Sequence, residues 1–421
     1  MFKEEFIIHR NNLANLMADN SAMILFSRYS GEGREINRNF YYASGLNEFG
    51  DKLVITKFCG KVSAVLFIEP YDEYKAKWVG RGLFKEEATE LSGINDVRYL
   101  NSFDSYVSML CGSCAENIYI DFRRESINAT LSEDEAFAKQ ITDKYPYVKV
   151  LNAHPLFASA RTIKSDAEIN KIKEAIHITR CGLEAIMTNL KPGMYEYQVE
   201  SYFDQAIKYN GATGYAFNTI AASGENGCCL HYSKNNSQIK DGDLILFDLG
   251  ASKDNYCSDI SRTFPANGKF SERQKLIYNI VLGGQELMFK TMKPGLTTRD
   301  CNQVLIKYFA TELKKIGLIK EDSEVSKYYF HGVSHHMGMD CHDLCDYGPL
   351  KPGCVISNEP GLYIAEEGIG IRIEDDVLIT EDGCVNLSSE IIKTVEDIEK
   401  FMAEVKNNEK KWFKKICKAY C

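Results

Sequence analysis

Hydrophobic and polar positions alternate in two different ways along the first 160 residues. Short apolar runs bounded by polar turns are typical of buried strands, and the segments of helical spacing between them indicate connecting helices. One such helix is predicted to begin after Ser132, because Glu135 three residues later completes a capping box. Residues 1–160 are therefore predicted to form an α/β domain, with strands at 22–26, 53–56, 62–68, 118–122 and 148–151.

A helical pattern occurs twice in the second part of the chain, residues 161–421. Ser165 and Glu168 form another capping box, which predicts a long helix to about Asn189. The sequence LKPGM at 190–194 is echoed by MKPGL at 292–296, and a second helix follows each copy. Two copies indicate a duplicated unit of paired helices with antiparallel strands, related by a pseudo-twofold axis, whereas a solenoid needs three or more units. Strands are predicted at 215–222, 244–250, 256–264, 355–364 and 368–380.

Composition and charge restrict the class of protein. The chain has 421 residues, 44% hydrophobic and 26% charged, which is ordinary for a globular α/β or α+β protein of two or three domains. It has no apolar run of membrane-span length and no signal-peptide pattern at its start, so we expect a soluble, cytoplasmic protein. The net charge of -9 argues against nucleic acid as a partner. The 14 cysteines are interpreted as reduced thiols.

Two aspartates lie in the ribbon predicted between residues 244 and 264. If Lys253 and Asp254 form a two-residue hairpin turn, Asp248 lies directly opposite Asp259 on one face. Both aspartates have apolar neighbours in the sequence, so two uncompensated carboxylates would meet in a partly dry site, which is energetically costly. A bound metal is the simplest explanation.

A second ribbon repeats this arrangement with two glutamates. A turn at Glu366 and Glu367 puts Glu359 opposite Glu374, although a one-residue bulge in either ribbon would move one acid to the wrong face. Four acids and one imidazole form an oxygen-rich ligand set, which favours Mn²⁺, Co²⁺ or Fe²⁺ over thiolate zinc. Four acids suit two ions, and paired ions that share a hydroxide are suited to hydrolysis.

A histidine-rich segment, residues 331–343, supplies the imidazole. It holds four of the eight histidines of the chain. No Glu follows His331 directly, so the zinc-protease motif HExxH is excluded. Cys341 and Cys345 beside these histidines leave a structural zinc site open as an alternative, although no second cysteine pair stands at suitable spacing.

Several blocks of the sequence resemble the pita-bread metallopeptidases, most closely the aminopeptidase P family of Xaa-Pro aminopeptidases. They run from FYYASG at 40–45 through SGENGCCLHYS, LFDLGASKDNYCSDISRTFP, HGVSHHMGMDCHD, NEPGLYI and GIGIRIEDD. The resemblance implies an amino-terminal domain of the aminopeptidase P type followed by a catalytic pita-bread domain. The metal ligands that it implies are Asp248 on one ion, Asp259 and Glu374 bridging both ions, and His335 and Glu359 on the second ion.

The resemblance also implies catalytic roles for residues around these ligands. Glu359 would act as the general base on the bridging water. His231, His331 and His342 would position the scissile carbonyl and the proline or stabilise the tetrahedral intermediate. Arg372, on the same strand face as Glu374, would orient a ligand carboxylate.

Other residues have two open interpretations. His336 doubles the motif histidine, and His335 is favoured as the ligand because it keeps the four-residue spacing from His331. Tyr363 could hydrogen-bond near the site or simply pack. Trp78 resembles a family tryptophan that a neighbouring subunit can place near the site, but packing in a core or an interface is favoured. The basic tail 406–421 has six lysines and is expected to be a solvated terminal helix rather than a membrane or partner contact.

The predicted function is that of an intracellular dinuclear metallo-aminopeptidase, with Mn²⁺ favoured and Co²⁺, Fe²⁺ or Zn²⁺ possible. It would release the first residue from peptides with proline second, as a homodimer or homotetramer. Proline specificity follows from the resemblance alone. The nearest alternative is an Xaa-Pro dipeptidase with the same ligands. A non-catalytic protein that binds peptides or histones, and a metal-free hydrolase of the creatinase type, are disfavoured because every ligand position is filled.

Overall fold

The computed structural model describes residues 2–27, 36–122, 126–128 and 130–405. The chain divides into two compact units, Met1–Arg161 and Thr162–Cys421. The lysine-rich segment 406–421, expected to be a terminal helix, lies outside the described residues. Within the described ranges, none of the helices has both the length and the apolar character that a membrane span requires.

The first unit is built on a mixed sheet with helices around it. Its strands are β1 Ser21–Phe26, β2 Lys52–Phe58, β3 Lys61–Ile68, β4 Asp96–Tyr99, β5 Asn117–Ile120 and β6 Lys149–Asn152. They form a six-stranded sheet in the order β4-β3-β2-β1-β5-β6. Every residue of β1 is buried, because β1 is central in the sheet and apolar side chains cover both of its faces. The predicted strands are all present, and β4 was not predicted.

The helices of the first unit connect these strands. Ser132 and Glu135 form the predicted capping box, in which each side chain accepts a hydrogen bond of 3.0 Å from the backbone amide of the other residue. The helices are α1 Phe2–Leu16, α2 Arg38–Ser44, α3 Glu73–Val79, α4 Lys85–Ser92, α5 Phe103–Ser113, α6 Glu133–Lys144 and α7 His154–Thr162.

The predicted duplication of helical pairs is confirmed in the second unit. The first pair is α8 Asp166–Asn189 and α9 Glu196–Tyr209, and the second pair is α10 Glu272–Thr291 and α11 Thr298–Lys315. The connection within each pair contains a Pro-Gly step, and Gly193 and Gly295 both have a φ of 90°. A left-handed glycine at the equivalent place in both copies explains why the two loops share one sequence pattern.

Antiparallel strands follow each helical pair. Four predicted strand runs are each interrupted: 215–222 at residues 216–219, 256–264 at 258–259, 355–364 at 359–360 and 368–380 at 373–374. The strands are β7 Gly214–Tyr215, β8 Ile220–Ser223, β9 Leu244–Leu249, β10 Ala251–Lys253, β11 Tyr256–Cys257, β12 Ile260–Pro265, β13 Val355–Asn358, β14 Gly361–Ile364, β15 Ile369–Arg372, β16 Asp375–Ile379 and β17 Cys384–Asn386.

The first ribbon, β9 to β12, has a different register from the predicted one. Its turn is Asp254-Asn255, whose φ values of 50° and 68° are those of a type I′ turn. Asp and Asn tolerate this left-handed conformation better than Lys, which explains why the turn lies one residue later than predicted. Asp248 consequently pairs with Ser261, and the prediction that it lies directly opposite Asp259 is wrong. The register differs by two residues, so Asp259 stays on the same face as a diagonal neighbour of Asp248.

The second ribbon, β13 to β16, has the predicted register. Gly361 pairs with Arg372 and Asn358 pairs with Asp375, so one register continues on both sides of the strand interruption. Within that interruption the amide of Ile373 donates to the carbonyl of Pro360 at 3.2 Å. Glu359 and Glu374 therefore occupy opposite positions across the ribbon.

Candidate metal centre

Three of the predicted ligands lie where the strands are interrupted. Asp259 precedes β12, Glu359 follows β13 and Glu374 precedes β16. At each of these positions the backbone amide bonds to a different segment of the chain rather than to its ribbon partner. The amide of Asp259 donates to Asp376 Oδ2 at 3.3 Å, that of Glu359 to the carbonyl of Val333 at 3.0 Å, and that of Glu374 to the carbonyl of Ser261 at 3.0 Å. These bonds join the two ribbons and the histidine-rich segment at the site.

The side chains of these ligands converge around His335. His335 Nε2 lies 3.3 Å from Asp259 Oδ2 and 3.6 Å from Glu359 Oε1. Single donor atoms of Asp259, His335 and Glu374 all lie within 4.8 Å of one another. His336, the alternative ligand, instead has its backbone paired with Ile356 and is buried. The structure therefore brings His335 to the carboxylates.

Arg372 connects the fifth predicted ligand, Asp248, to the rest of the site. Its Nη2 donates to Asp248 Oδ2 at 2.6 Å and its Nε donates to Ser261 Oγ at 2.8 Å. Ser261 Oγ in turn donates to Glu374 Oε2 at 2.8 Å. Arg372 thus orients one carboxylate directly and a second through Ser261.

Electrostatics at the site favour a cation. Burial raises the pKa of Asp248 although Arg372 opposes the shift, and burial raises the pKa of Glu359 to about 7. The pKa of Glu374 lies well above its ordinary value, because of burial and then the charge of Asp259. Asp248 Oδ1 is buried and has no hydrogen-bond partner among the described residues. A buried set of oxygen ligands with excess negative charge fits hard divalent metal ions.

Histidines surround this carboxylate cluster. His331 Nδ1 lies 2.7 Å from the carbonyl of Gly332 and its Nε2 lies 2.9 Å from the Tyr363 hydroxyl. Burial lowers the pKa of His331 to about 4, so the ring is neutral. The ring of His342 stacks on that of His335, with centroids 4.1 Å apart. Burial is the main cause of the lowered pKa of both His331 and His342, and His231, an exposed residue, adds a smaller contribution to each.

Sequence reasoning missed several residues that hold the ligands. Ser261 and Asp376 each stand two residues from a ligand, so strand alternation could have identified them. Tyr363, for which packing was equally open, hydrogen-bonds to His331 and also accepts from Arg372 Nη1 at 3.0 Å. Cys341 Sγ donates to Asp259 Oδ2 at 2.8 Å, a contact between distant residues that no sequence pattern indicates.

The fold and the site together define a class, the metal-dependent hydrolases built on duplicated helix-and-ribbon halves. The family model of metallopeptidase family M24 matches residues 170–381, and that of the aminopeptidase P N-terminal domain matches residues 6–119. The chain belongs to metallopeptidase family M24. It is a metallo-aminopeptidase that requires divalent metal ions.

Known proteins resemble the chain over nearly its whole length. The Xaa-Pro aminopeptidase of Escherichia coli (strain K12) is 32% identical, over 95% of this chain and 98% of the relative. A structure from Bacillus anthracis, described as that of a proposed aminopeptidase P, has a TM-score of 0.93 at 44% identity and covers 96% of this chain and 99% of its own. Zinc-substituted E. coli aminopeptidase P in complex with product has a TM-score of 0.87 at 30% identity, over 96% and 99%.

These comparisons bear directly on the predictions from sequence. The predicted resemblance to aminopeptidase P is confirmed, and so is an α/β amino-terminal domain followed by a pita-bread domain. The predicted activity, hydrolysis of an amino-terminal Xaa-Pro bond, is also confirmed.

Proposed function

We propose that this enzyme cleaves the Xaa-Pro bond with two divalent metal ions held by its two ribbons. The residues that would hold the ions are Asp248, Asp259, His335, Glu359 and Glu374, and Asp259 and Glu374 would each serve both ions. The observation that carries the proposal is the convergence of four carboxylates and one imidazole in a buried site, where Arg372 pairs with Asp248.

Manganese is the metal that the donor set favours. Four carboxylates and one imidazole are hard ligands, which suit Mn²⁺, with Co²⁺, Fe²⁺ and Zn²⁺ as the alternatives. When bound, such ions polarise a carbonyl and lower the pKa of a bound water from 15.7 towards about 7.

Glu359 is the general base of the proposed reaction. Its carboxylate can take a proton from the attacking water and return it to the leaving amine. Ser357 fixes its position, because Ser357 Oγ donates to Glu359 Oε1 at 3.2 Å and accepts from the amide of His335 at 3.0 Å. The base and the histidine ligand are therefore oriented by one hydroxyl.

His231, His331 and His342 position the scissile carbonyl and the proline. His231 and His342 are exposed, as groups that contact a substrate must be before it binds, and a neutral imidazole can donate to a developing oxyanion. His331 is tied to Tyr363 and through it to Arg372. The bond to proline lacks an N–H, so recognition must come from such side chains rather than from backbone pairing.

The two compact units are proposed to be the two domains, 1–160 and 161–421, of a homodimeric or homotetrameric cytoplasmic enzyme. Trp78 is 73% exposed, so its expected packing in a core is wrong, and its packing against another copy stays a prediction. Tyr74 and Val79 of the same helix, α3, are similarly exposed, which supports an assembly. Sedimentation of the purified chain measures the number of copies.

Release of the first amino acid from Xaa-Pro peptides of graded length, with and without Mn²⁺, tests the function. We expect Mn²⁺-dependent release from tripeptides and longer peptides. Cleavage of dipeptides alone would identify an Xaa-Pro dipeptidase. A purified protein without transition metal, and without activity on added Mn²⁺, would favour a peptide-binding protein.

The ligand assignment is tested by Asp259→Asn in the same assay. We expect turnover to fall by at least about 100-fold, since loss of even an outer-sphere partner costs roughly 10–100-fold. Asp382→Asn, at an exposed position after β16, is the matched control and should leave turnover unchanged. Full activity of Asp259→Asn would show that the assignment of the shared ligand is wrong.

A further inference from the structure

Cys341 places a thiol directly beside the carboxylate cluster, and the proposed function gives it no role. Its Sγ lies 2.8 Å from Asp259 Oδ2, the same oxygen that lies 3.3 Å from His335 Nε2. The sulfur and this imidazole nitrogen therefore flank one carboxylate oxygen. The sulfur is the only soft donor among these groups, whereas the catalytic ligands are mostly carboxylates.

A second imidazole completes a different ligand set at this place. His342 follows Cys341 in the chain and stacks on His335. Single donor atoms of His335, Cys341 and His342 all lie within 4.8 Å of one another. One thiolate and two imidazoles, with a fourth position for water or a carboxylate, form a typical tetrahedral zinc set.

We propose that Cys341, His335 and His342 form a second metal site, for thiophilic ions such as Zn²⁺ and Cd²⁺, that overlaps the catalytic site at His335. An ion held there and an ion held by His335 with the carboxylates exclude each other. The proposal rests on the proposed function in so far as His335 is a catalytic ligand. It predicts that excess Zn²⁺ inhibits the manganese enzyme by competition for one imidazole.

The competition follows from the surroundings of the His335 ring. Its Nδ1 lies 3.2 Å from the carbonyl of His336, to which it donates, so Nε2 is the nitrogen available to a metal. That same Nε2 faces Asp259 and Glu359, and His335 is also one of the three residues whose donor atoms group with Cys341. One nitrogen lone pair binds one ion, so the two sites cannot both use it.

The local backbone permits the small movement that such a site requires. Zinc binds sulfur at about 2.3 Å and imidazole nitrogen at about 2.0–2.1 Å, so the donors must approach slightly closer than they lie now. Residues 341–343 lie outside helices and strands, so Cys341 and His342 can shift without breaking a ladder. Binding as thiolate releases the thiol proton to solvent, and the ion then neutralises the charge that the thiolate brings.

Cadmium titration of the metal-free full chain tests the site, because cadmium–thiolate bonds absorb in the near ultraviolet. We expect the absorbance that comes from one bound Cd²⁺ per chain to disappear when Mn²⁺ is added. The other cysteines of the chain give only a background that Mn²⁺ leaves unchanged. In Cys341→Ser and Cys341→Ala the Mn²⁺-sensitive component should be lost, or its apparent affinity should fall by roughly 10-fold or more. Cys301→Ser, at a buried thiol of α11, is the matched control and should keep it.

Two results would overturn the proposal. The first is a Mn²⁺-sensitive component of wild-type size and affinity in both Cys341 variants, with unfolding transitions that show both to be folded. The second is a Cys341-dependent band that Mn²⁺ does not displace, because the two sites would then not share His335. Failure of the proposed function is a separate result, since it would appear as the absence of Mn²⁺-dependent release of the first amino acid.

Discussion

Two buried acids that are neighbours in the chain, Glu374 and Asp375, lie in clusters that balance their charge differently. Asp375 is neutralised by resident cations: its Oδ1 lies 2.6 Å from Arg262 Nη2 and its Oδ2 lies 2.9 Å from Lys393 Nζ. These partners outweigh burial and lower the pKa of Asp375. The charge of Asp375 is therefore balanced by protein side chains, and no bound cation is needed.

The cluster around Glu374 has too few positive charges. Four carboxylates share Arg372 and His335, and burial raises the pKa of Glu359 and Glu374. The hydrogen bond and the charge of Asp259 overcome burial and raise the pKa of His335 to about 9. Even with a protonated His335, the positive charges do not balance the four carboxylates. The comparison distinguishes a structural ion pair from a site that needs an exchangeable cation.

The largest expected effect separates the chemistry of the two clusters. Glu359→Gln removes the general base and one ligand, so turnover should fall by roughly 10²–10⁴-fold. The free energy of unfolding of the metal-free variant should not fall, because the substitution removes a buried carboxylate that is repelled by its neighbours. Glu366→Gln, at the exposed ribbon turn, is the control. Steady-state release of the first amino acid measures the effect, and near-normal turnover would contradict the proposed base.

The next effect concerns stability rather than chemistry. Arg262→Met removes the closer of the two cations that contact Asp375 among the described residues, so the free energy of unfolding should fall by about 3–5 kcal/mol. Arg273→Met removes a partly exposed pair with Glu367 and should cost under about 1 kcal/mol. Urea unfolding measures both variants. Equal losses would remove the distinction between a buried and an exposed ion pair.

A smaller effect is expected where the carboxylate cluster does have a resident cation. Arg372→Lys keeps the charge but cannot contact Asp248, Ser261 and Tyr363 together, because an ammonium lacks the planar fork of a guanidinium. We expect Mn²⁺ affinity to fall about 10–100-fold. Calorimetric titration measures it, and an unchanged affinity would show that orientation of these carboxylates is unimportant.

The smallest effect is a pH dependence of the metal-free chain. The pKa of Glu359 rises from its ordinary 4.5 to about 7 on folding, so its contribution favours the fold below pH 4.5 and is lost as pH rises to about 7. The free energy of unfolding should fall between pH 4.5 and 8. Glu359→Gln should lack this part of the loss. Asp375 has the opposite sign, because its pKa is lowered and its contribution is lost only below about pH 4.

The second ribbon was predictable from sequence because its register depends on local features. Strict alternation of Ile369, Ile371 and Ile373 with smaller or charged residues sets the face, and the loop length sets the partner of Glu359. Capping boxes likewise located the starts of α6 and α8. These signals are short in sequence and physically specific.

The first ribbon shows where sequence reasoning failed. Lys253-Asp254 and Asp254-Asn255 are both polar pairs of suitable position, and preference for positive φ favours the second. The prediction placed the turn at Lys253-Asp254 and did not take this preference into account. The contacts of Arg372 with Ser261 and of Cys341 with Asp259 join residues far apart in the chain, so no local pattern indicates them.

The amide bonds made by Asp259, Glu359 and Glu374 have a consequence for how the site is filled. Each backbone is tied to another segment by a bond that needs no metal, so we expect slow hydrogen exchange at these three amides even in the metal-free chain. A scaffold that is preorganised in this way loses little conformational entropy when its ions arrive. Most of the electrostatic attraction between the carboxylates and the ions then contributes to the binding affinity.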